Sequence, residues 1–368
     1  MHLVFRTDAS LLIGTGHAMR CLTLADALRD HGAQSTFVCR PHDGHLLSLI
    51  AERGHVAVPL PALHGDLAET SGNLHHAAWL GTTWEADAAH TQNALTDIAG
   101  NEPLDWLVVD HYALDQRWEC ALRSSVRRIM VIDDLADRPH DCDLLLDQNL
   151  GRNASDYAGL LNVQSELLVG PRYALLRPEF AAMRPHSLAR RALDPRPRHV
   201  LVSMGGVDKD NVTEQVLRAL SACDLPLDAR ITVVMGSYAP WLQAVRNQAA
   251  NMVWPTQVLV GVNNMAQLMA ESDLAIGAAG STSWERCCLG LPSILVVVAQ
   301  NQEAGAAALE DAGAAIVLNK WGQSFDGLCE LLSRFIDQDF STKMMSVGAA
   351  LVDGTGSERV MDHILRHQ

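Results

Sequence analysis

The chain has 368 residues, of which 48% are hydrophobic and 19% are charged, proportions that suit a globular protein of two domains. With 28 basic against 43 acidic residues its formal net charge is −15, so we expect no basic face for nucleic acid. No apolar run approaches the roughly 18–20 residues of a membrane span, and the N-terminus lacks a charged segment followed by an apolar core. These features predict a cytoplasmic protein without membrane or nucleic-acid partners.

The eight cysteines show neither CxxC pairing nor the spacing of metal ligands. In a chain without an export signal such cysteines are typically small buried hydrophobes. We therefore expect reduced thiols.

The first half of the chain predicts a parallel α/β sheet, since short apolar strands alternate with helical patterns. The predicted strands are 1–5, 35–39, 55–60, 106–110, 128–133 and 144–146. A glycine turn that ends in Gly16-His17 separates the first strand from a helix predicted over 18–31. Its spacing is not the dinucleotide pattern GxGxxG, so NAD is not expected.

Polar side chains follow three of these strands: His17, then Asp110-His111-Tyr112, then Asp133-Asp134. Because the carboxyl ends of parallel strands meet at one edge of a sheet, these groups predict one wall of a ligand-binding cleft.

His17 is the candidate base, because flanking glycines at 14 and 16 predict an exposed imidazole that titrates near neutrality. The alternative is that His17 only caps the helix predicted to start at Ala18. Asp8 is either a partner that orients His17 or a turn residue, and Asp110 and His111 either contact substrate or hold backbone. Position alone leaves these alternatives open.

A stretch rich in proline and arginine predicts a linker, which gives domains over 1–184 and 199–368 with a linker over 185–198. The second domain reads as a second α/β unit whose first strand, 199–203, leads to a turn at Gly205-Gly206. Asn211 is a candidate N-cap for the helix that follows.

A strand–turn–helix–strand unit over 273–299 is the most informative part of this domain. Its turn of small residues, Gly280-Ser281-Thr282, lets an anion approach the backbone at a helix start. Glu285 in the first helical turn is placed to bind the hydroxyls of an attached sugar. Thr282 with Glu285 three residues later equally fits a capping box. The pattern itself does not separate these two interpretations.

This unit resembles the nucleotide-sugar site of the GT-B fold, as in the lipid II-forming N-acetylglucosaminyltransferase, including a polar pair after the second strand. The resemblance implies that the glutamate holds the ribose and that the helix start faces the diphosphate. The implied UDP-sugar contacts are Gly280, Ser281, Thr282, Glu285, Asn301 and Gln302.

A second resemblance spans nearly the whole chain and rests on several uncommon motifs in order. They are FRTDAS, IGTGHAMRCLTLA, WLGTTWEAD, VVDHYALD, IDDLADRPHDCDLLLDQN, ASDYAGL, LVGPRYALLRPEF and SMGGVDKDN. Together they are similar to the PseG-type hydrolases of the pseudaminic acid pathway, which belongs to nonulosonic acid synthesis. These hydrolases remove UDP from a diacetamido-trideoxy sugar.

That resemblance implies a GT-B fold of two Rossmann-like domains facing a central cleft, with His17 activating water and Tyr112 near the reacting sugar. Gly16, Asp110 and Gly205 join the expected substrate contacts. It further implies an inverting hydrolysis of a UDP-sugar without metal or cofactor, since diphosphate is a good leaving group and needs no protonating acid. The Asp133-Asp134 pair invites a metal, but adjacent residues at a strand end point opposite ways.

Two other functions stay open at this stage. A glycosyltransferase would use the same UDP site with an alcohol acceptor, although no apolar and basic acceptor patch occurs near Gly14–Leu28. A binding protein would keep the nucleotide site without catalysis, against which His17 and Tyr112 argue. Val207 and the DRPHDCD segment, which carries an extra histidine, depart from the family pattern, and this leaves the sugar stereochemistry open. The oligomeric state is also open at this stage.

Overall fold

The computed structural model describes residues 1–62, 74–100, 102–194, 196–319 and 323–366. The chain forms two compact units, Met1–Leu175 with Ser357–Gln368, and Leu176–Gly356. Most of the polar stretch 61–76, which the sequence predicts as a loop, lies outside the described residues. Within the described residues, no helix combines the length and the apolar character needed to cross a membrane.

The first unit is built on a parallel sheet of seven strands in the order β3-β2-β1-β4-β5-β6-β7. The strands are β1 (His2–Thr7), β2 (Gln34–Cys39), β3 (Val56–Pro59), β4 (Leu104–Asp110), β5 (Val126–Ile132), β6 (Leu144–Asp147) and β7 (Glu166–Val169). The order reverses between β1 and β4, which makes their carboxyl ends the switch point where such sheets bind ligands.

Both faces of this sheet are covered, which is why its central strands are apolar throughout. Successive residues of a strand point to opposite faces, so Leu3 and Phe5 enter one core while Val4 enters another. The covering helices before the unit boundary are α1 (Gly16–Arg29), α2 (Leu47–Glu52), α3 (Trp84–Ala99) and α4 (Gln116–Leu122).

The second unit repeats this plan with six parallel strands in the order β10-β9-β8-β11-β12-β13. They are β8 (His199–Ser203), β9 (Arg230–Met235), β10 (Thr256–Val260), β11 (Leu274–Ala278), β12 (Ser293–Val296) and β13 (Ile316–Asn319). Its helices are α5 (Pro178–Leu193), α6 (Val212–Leu220), α7 (Leu242–Ala250), α8 (Met265–Glu271), α9 (Thr282–Cys288), α10 (Glu303–Asp311), α11 (Leu328–Arg334) and α12 (Gln338–Leu351). Here the order reverses between β8 and β11.

The segment predicted as a linker differs most from expectation, because most of it lies in helix α5 of the second unit. Its arginines bind backbone carbonyls of the second unit instead of extending into solvent. Arg184 donates to the carbonyl of Cys288 at 2.5 Å, and Arg191, only 3% exposed, donates to the carbonyl of Met269 at 2.5 Å. Burial lowers the pKa of Arg191 to about 9.

The chain's last helix, α13 (Gly356–Arg366), also departs from the predicted division at 199–368, since the first unit begins again at Ser357. Its buried residues Val360 and Ile364 belong to the same apolar core as Leu3 and Phe5 of β1. Packing therefore returns the end of the chain to the first unit, which a reading of consecutive segments does not reveal.

The expectation of reduced thiols is wrong for one pair, because Cys223 and Cys329 form a disulfide. Helices α6 and α11 pack against each other and bring the two Cα atoms to 4.9 Å, although 106 positions separate them in sequence. The other six cysteines are free, and of these only Cys120 is exposed.

Candidate active site

His17 lies in the first turn of α1, directly after the loop that follows β1. The helix begins at Gly16, its N-cap is Thr15, and no side chain caps it, so His17 has no capping role. The expected exposed imidazole is wrong: the side chain is 10% exposed. Its ring meets that of Tyr112 edge-on, with centroids 4.6 Å apart, and this contact removes it from solvent.

Asp110, at the end of β4, is the partner that orients His17. The register that pairs Thr7 with Asp110 sets the ends of β1 and β4 side by side, and His17 Nδ1 lies 2.6 Å from Asp110 Oδ1. Burial opposes ionisation of Asp110, but the guanidinium of Arg20 and the imidazole of His17 outweigh it and hold its pKa below the usual range.

An ionised Asp110 can only accept, so His17 Nδ1 donates its proton, and in the neutral imidazole the Nε2 atom carries the lone pair. That Nε2 atom takes part in no hydrogen bond within the described part of the chain. The imidazole is thus held in the form of a base with a fixed orientation.

Arg20 joins this pair to a second one, a connection that the sequence analysis missed. Its guanidinium donates to both oxygens of Asp110, at 2.6 and 2.7 Å, and lies 2.7 Å from Asp134 Oδ2. The Tyr112 hydroxyl donates to the same oxygen of Asp134 at 2.7 Å. Arg20 follows His17 by three positions on one helix face, and that spacing is the signal that could have identified it.

Tyr112 is a buried hydrogen-bond donor in this arrangement. It is 5% exposed, and burial together with the neighbouring Asp134 raises the pKa of its hydroxyl well above the ordinary value. The phenol is therefore protonated at neutral pH and committed to Asp134. Its predicted contact with the sugar stays a prediction.

The remaining polar residues of this edge serve the fold. Asp8, which the sequence left as a possible partner of His17, instead pairs with Arg6 at 2.7 Å. His111 accepts from the backbone N–H of Ala113 through Nδ1 at 3.1 Å, which places its proton on Nε2, 3.4 Å from Asp8.

Asp133 and Asp134 point apart, as the alternation of a strand end requires. Asp133 lies 2.9 Å from Arg138 and accepts from the hydroxyl of Tyr157 at 2.9 Å, whereas Asp134 binds Arg20. In the ranges that the structure describes, no group of three His, Cys, Asp or Glu side chains is arranged to hold a metal ion.

In the second unit, the two predicted glycine turns follow β8 and β11, the strands that flank its switch point. Gly205 has a φ of +93°, a left-handed conformation that other residues rarely adopt. Gly280 and the exposed Ser281 form the turn before α9, whose first residue is Thr282. The structure therefore places both turns at the same edge of one sheet.

Glu285 lies in the first turn of α9 without the capping box that the sequence allowed, because no side chain caps this helix. Its side chain is 17% exposed and its nearest cation is Arg177, at 3.9 Å. No hydrogen bond reaches its carboxylate from any described residue. Burial raises its pKa to about 7, because the cost of burying the charge outweighs the attraction of Arg177 and Arg286.

Arg286 supports the glycine turn before α9, and it was not among the residues predicted from the sequence. It is 2% exposed and donates to the carbonyl of Ala278 at 2.7 Å and to the hydroxyl of Ser283 at 2.9 Å. A Cβ on Gly277 would lie 2.1 Å from its Nη1 atom, so Gly277 is needed for this guanidinium to fit.

The predicted polar pair follows β12 in a short 3-10 turn, Gln300–Gln302. Gln302 accepts from the backbone N–H of Val298 at 3.1 Å, and its amide nitrogen is 3.7 Å from the position of a Cβ on Gly280. Asn301 is exposed. Gln302 thus lies beside the glycine turn, while Asn301 is available on the surface.

Each α/β unit has its polar residues or glycine turns at the switch point of its parallel sheet. Two such units are the architecture of the GT-B fold. Residues 199–352 match the model of the Glycosyltransferase family 28 C-terminal domain. The fold matches that of MurG from Acinetobacter baumannii, with a TM-score of 0.70 over 99% of both chains at 16% identity. It also matches UDP-GlcNAc 2-epimerase from Neisseria meningitidis, with a TM-score of 0.64 over 99% of both chains at 11% identity.

Among relatives in sequence, the chain is 28% identical to the UDP-2,4-diacetamido-2,4,6-trideoxy-beta-L-altropyranose hydrolase of Campylobacter jejuni. That match covers 85% of this chain and 97% of the hydrolase. The spore coat polysaccharide biosynthesis protein SpsG of Bacillus subtilis is 31% identical over 52% of this chain and 56% of its own length. A peptidoglycan N-acetylglucosamine transferase of Thiobacillus denitrificans is 31% identical over 47% of this chain and 48% of its own length.

Proposed function

We propose that this chain hydrolyses UDP-2,4-diacetamido-2,4,6-trideoxy-β-L-altropyranose to UDP and the free sugar, a step of pseudaminic acid biosynthesis. The observation that carries the proposal is the His17–Asp110 pair at 2.6 Å, at the switch point of the first sheet. The relative from Campylobacter jejuni supports the substrate, since it is a hydrolase of this UDP-sugar and the match covers 97% of its length.

The first unit supplies the base. His17 Nε2 takes a proton from water, the water oxygen bonds to C1 of the sugar, and the bond from C1 to the diphosphate oxygen breaks with its electrons leaving on UDP. Asp110 stabilises the imidazolium that forms and is itself not protonated. Direct attack of water in one displacement inverts the configuration at C1.

The second unit binds the nucleotide. Backbone N–H groups at Gly280-Ser281-Thr282 receive the diphosphate, and the carboxylate of Glu285 accepts hydrogen bonds from the ribose hydroxyls. Gly205, Asn301 and Gln302 complete the proposed contacts of this unit, and Gly16 is a proposed substrate contact of the first unit. Because the backbone and the helix start stabilise the departing charge, we propose that turnover needs no metal ion.

The test is to incubate the purified chain with candidate UDP-sugars in buffer containing a chelator and to follow UDP and free sugar by NMR. We expect UDP, and a sugar that appears first as the anomer of inverted configuration. Release of the retained anomer would contradict direct attack by water. Loss of activity in chelator with return on adding Mg²⁺ would contradict metal independence.

A glycosyltransferase is the second candidate, favoured by the Family 28 domain over residues 199–352. The same assay separates the two functions, because full turnover with water as the only acceptor excludes an obligatory alcohol. A transferase would release UDP at an appreciable rate only after an alcohol acceptor is added.

A further inference from the structure

Beside the His17–Asp110 pair lies a group of rings that the proposed mechanism does not use. The ring of Trp79 stacks on that of Tyr112, with centroids 5.5 Å apart and planes 24° apart, and meets His17 edge-on at 6.2 Å. The ring of His76 lies 4.4 Å from Trp79 and 5.3 Å from Tyr112. Trp79 and His76 are both partly exposed, so this cluster presents ring surface next to the base.

The rings of this surface are uncharged as well as aromatic. Burial lowers the pKa of His76 to about 4, so this imidazole is neutral at physiological pH.

Such a surface discriminates between methyl groups and hydroxyls. A methyl group gains from leaving water and from contact with a ring face, whereas a hydroxyl placed there loses its hydrogen bonds without replacement. Ordinary hexoses present hydroxyls at C2, C4 and C6. A diacetamido-trideoxy hexose presents acetyl methyl groups on its 2- and 4-nitrogens and a methyl group at C6.

We propose that Trp79 and His76 form an aromatic wall that selects UDP-sugars bearing methyl groups where common hexoses bear hydroxyls. This inference rests on the proposed hydrolysis and deepens it by naming residues that set its specificity. Trp79 is a specificity residue for the sugar and has no part in binding UDP.

The experiment compares kcat/KM for the diacetamido-trideoxy UDP-sugar with that for an analogue carrying a 4-hydroxyl in place of the acetamido group. Trp79→Ala should lower this ratio by about 10-fold or more, the usual scale for one apolar group in a pocket. Trp79→Phe keeps a ring and should retain most of the ratio. Trp84→Ala is the matched control, because this tryptophan lies over the guanidinium of Arg117, 5.2 Å from its ring centroid. UDP affinity should be the same in all four proteins.

An unchanged ratio in folded Trp79→Ala, with the wild type active, overturns the wall and leaves the hydrolysis standing. If the wild type turns over no UDP-sugar, the hydrolysis fails, and calorimetric affinities of the same two sugars test the wall directly. A wild-type preference for the diacetamido sugar that Trp79→Ala abolishes supports it. Equal preferences in both proteins refute it.

Discussion

The two units share one sheet plan but use their switch points differently. In the first, the polar groups bind one another: His17, Arg20, Asp110, Asp134 and Tyr112 form a continuous chain of contacts between 2.6 and 2.7 Å. In the second, the carboxylate of Glu285 is largely buried yet receives no hydrogen bond from any described residue.

Burial raises the pKa of both carboxylates, but their net pKa shifts have opposite directions. Asp110 has a guanidinium and an imidazole against it and keeps a lowered pKa, whereas the attraction of Arg177 and Arg286 does not offset burial at Glu285, whose pKa is raised to about 7. A satisfied network fixes the geometry of a base, and an unsatisfied acceptor is suited to a ligand that supplies the missing donors. This difference agrees with the proposed roles, in which the first unit carries the catalytic base and the second unit binds the nucleotide.

The largest expected effect comes from removing the base. His17→Asn should lower kcat by about 10²- to 10⁴-fold, the usual contribution of a positioned general base. UDP affinity should not change, because the proposed nucleotide contacts all belong to the second unit. Single-turnover kinetics and UDP titration measure the two quantities.

The matched control for this variant is His31→Asn, which changes an exposed histidine near the end of the same helix region. Near-normal turnover by His17→Asn would remove His17 from the mechanism. A parallel loss of UDP affinity would show instead that the two units are not separate in their roles.

The next effect tests the network itself. Asp110→Asn removes the charge that orients His17 and leaves Arg20 with Asp134 alone, so kcat should fall by about 10²-fold or more. Breaking a buried ion pair should also lower the free energy of unfolding by about 3 kcal/mol. Urea unfolding and turnover, with the exposed Asp97→Asn as control, check both expectations. Unchanged turnover would mean that His17 needs no orienting partner.

A smaller effect is expected at the unsatisfied carboxylate. Glu285→Gln should weaken UDP binding by about 1.5–3 kcal/mol, the value of hydrogen bonds to a charged group. Since the pKa of Glu285 is about 7, the affinity of the wild type should fall as the pH drops through 7. The variant should lack this dependence, and the exposed Glu271→Gln should retain it. Calorimetry at pH 8 and pH 6 measures it, and a pH-independent wild type would contradict the ribose role.

The two carboxylates should also affect stability with opposite signs. A lowered pKa at Asp110 contributes stability above its ordinary pKa that is lost in acid. A raised pKa at Glu285 means that the folded state binds the extra proton between the ordinary value of 4.5 and about 7, so stability falls as the pH rises through this window. Glu285→Gln should therefore stabilise the chain more at pH 8 than at pH 5 in urea unfolding. An advantage that is equal at both pH values would contradict the raised pKa.

The smallest effect concerns the helix start that the sequence left ambiguous. Because no side chain caps α9, Thr282→Ala should change the free energy of unfolding by less than about 0.5 kcal/mol, against about 1 kcal/mol for the loss of a real cap. Thermal unfolding checks this, and a loss near 1 kcal/mol would restore the capping box.

The sequence by itself determined where most of the strands lie along the chain and that they run parallel. Apolar runs bounded by glycine and polar residues located six of the seven strands of the first sheet but not β7, and the parallel arrangement followed from the helices between them. The rule that the carboxyl ends of parallel strands meet at one edge of a sheet then predicted that His17 lies near Asp110 and Tyr112.

Only the tertiary structure decided which of these neighbours bind each other. Asp110 ends β4 and Asp8 follows β1, and the register of β1 against β4 set the first beside His17, whereas the second pairs with Arg6. Helix α13 joined the first unit and Cys223 met Cys329 for the same reason: long-range packing pairs residues whose sequence neighbours carry no record of it. The opposite pKa shifts of Glu285 and Asp110 also depend on the tertiary structure. The number of charged groups within reach of a buried carboxylate is a property of the packed chain.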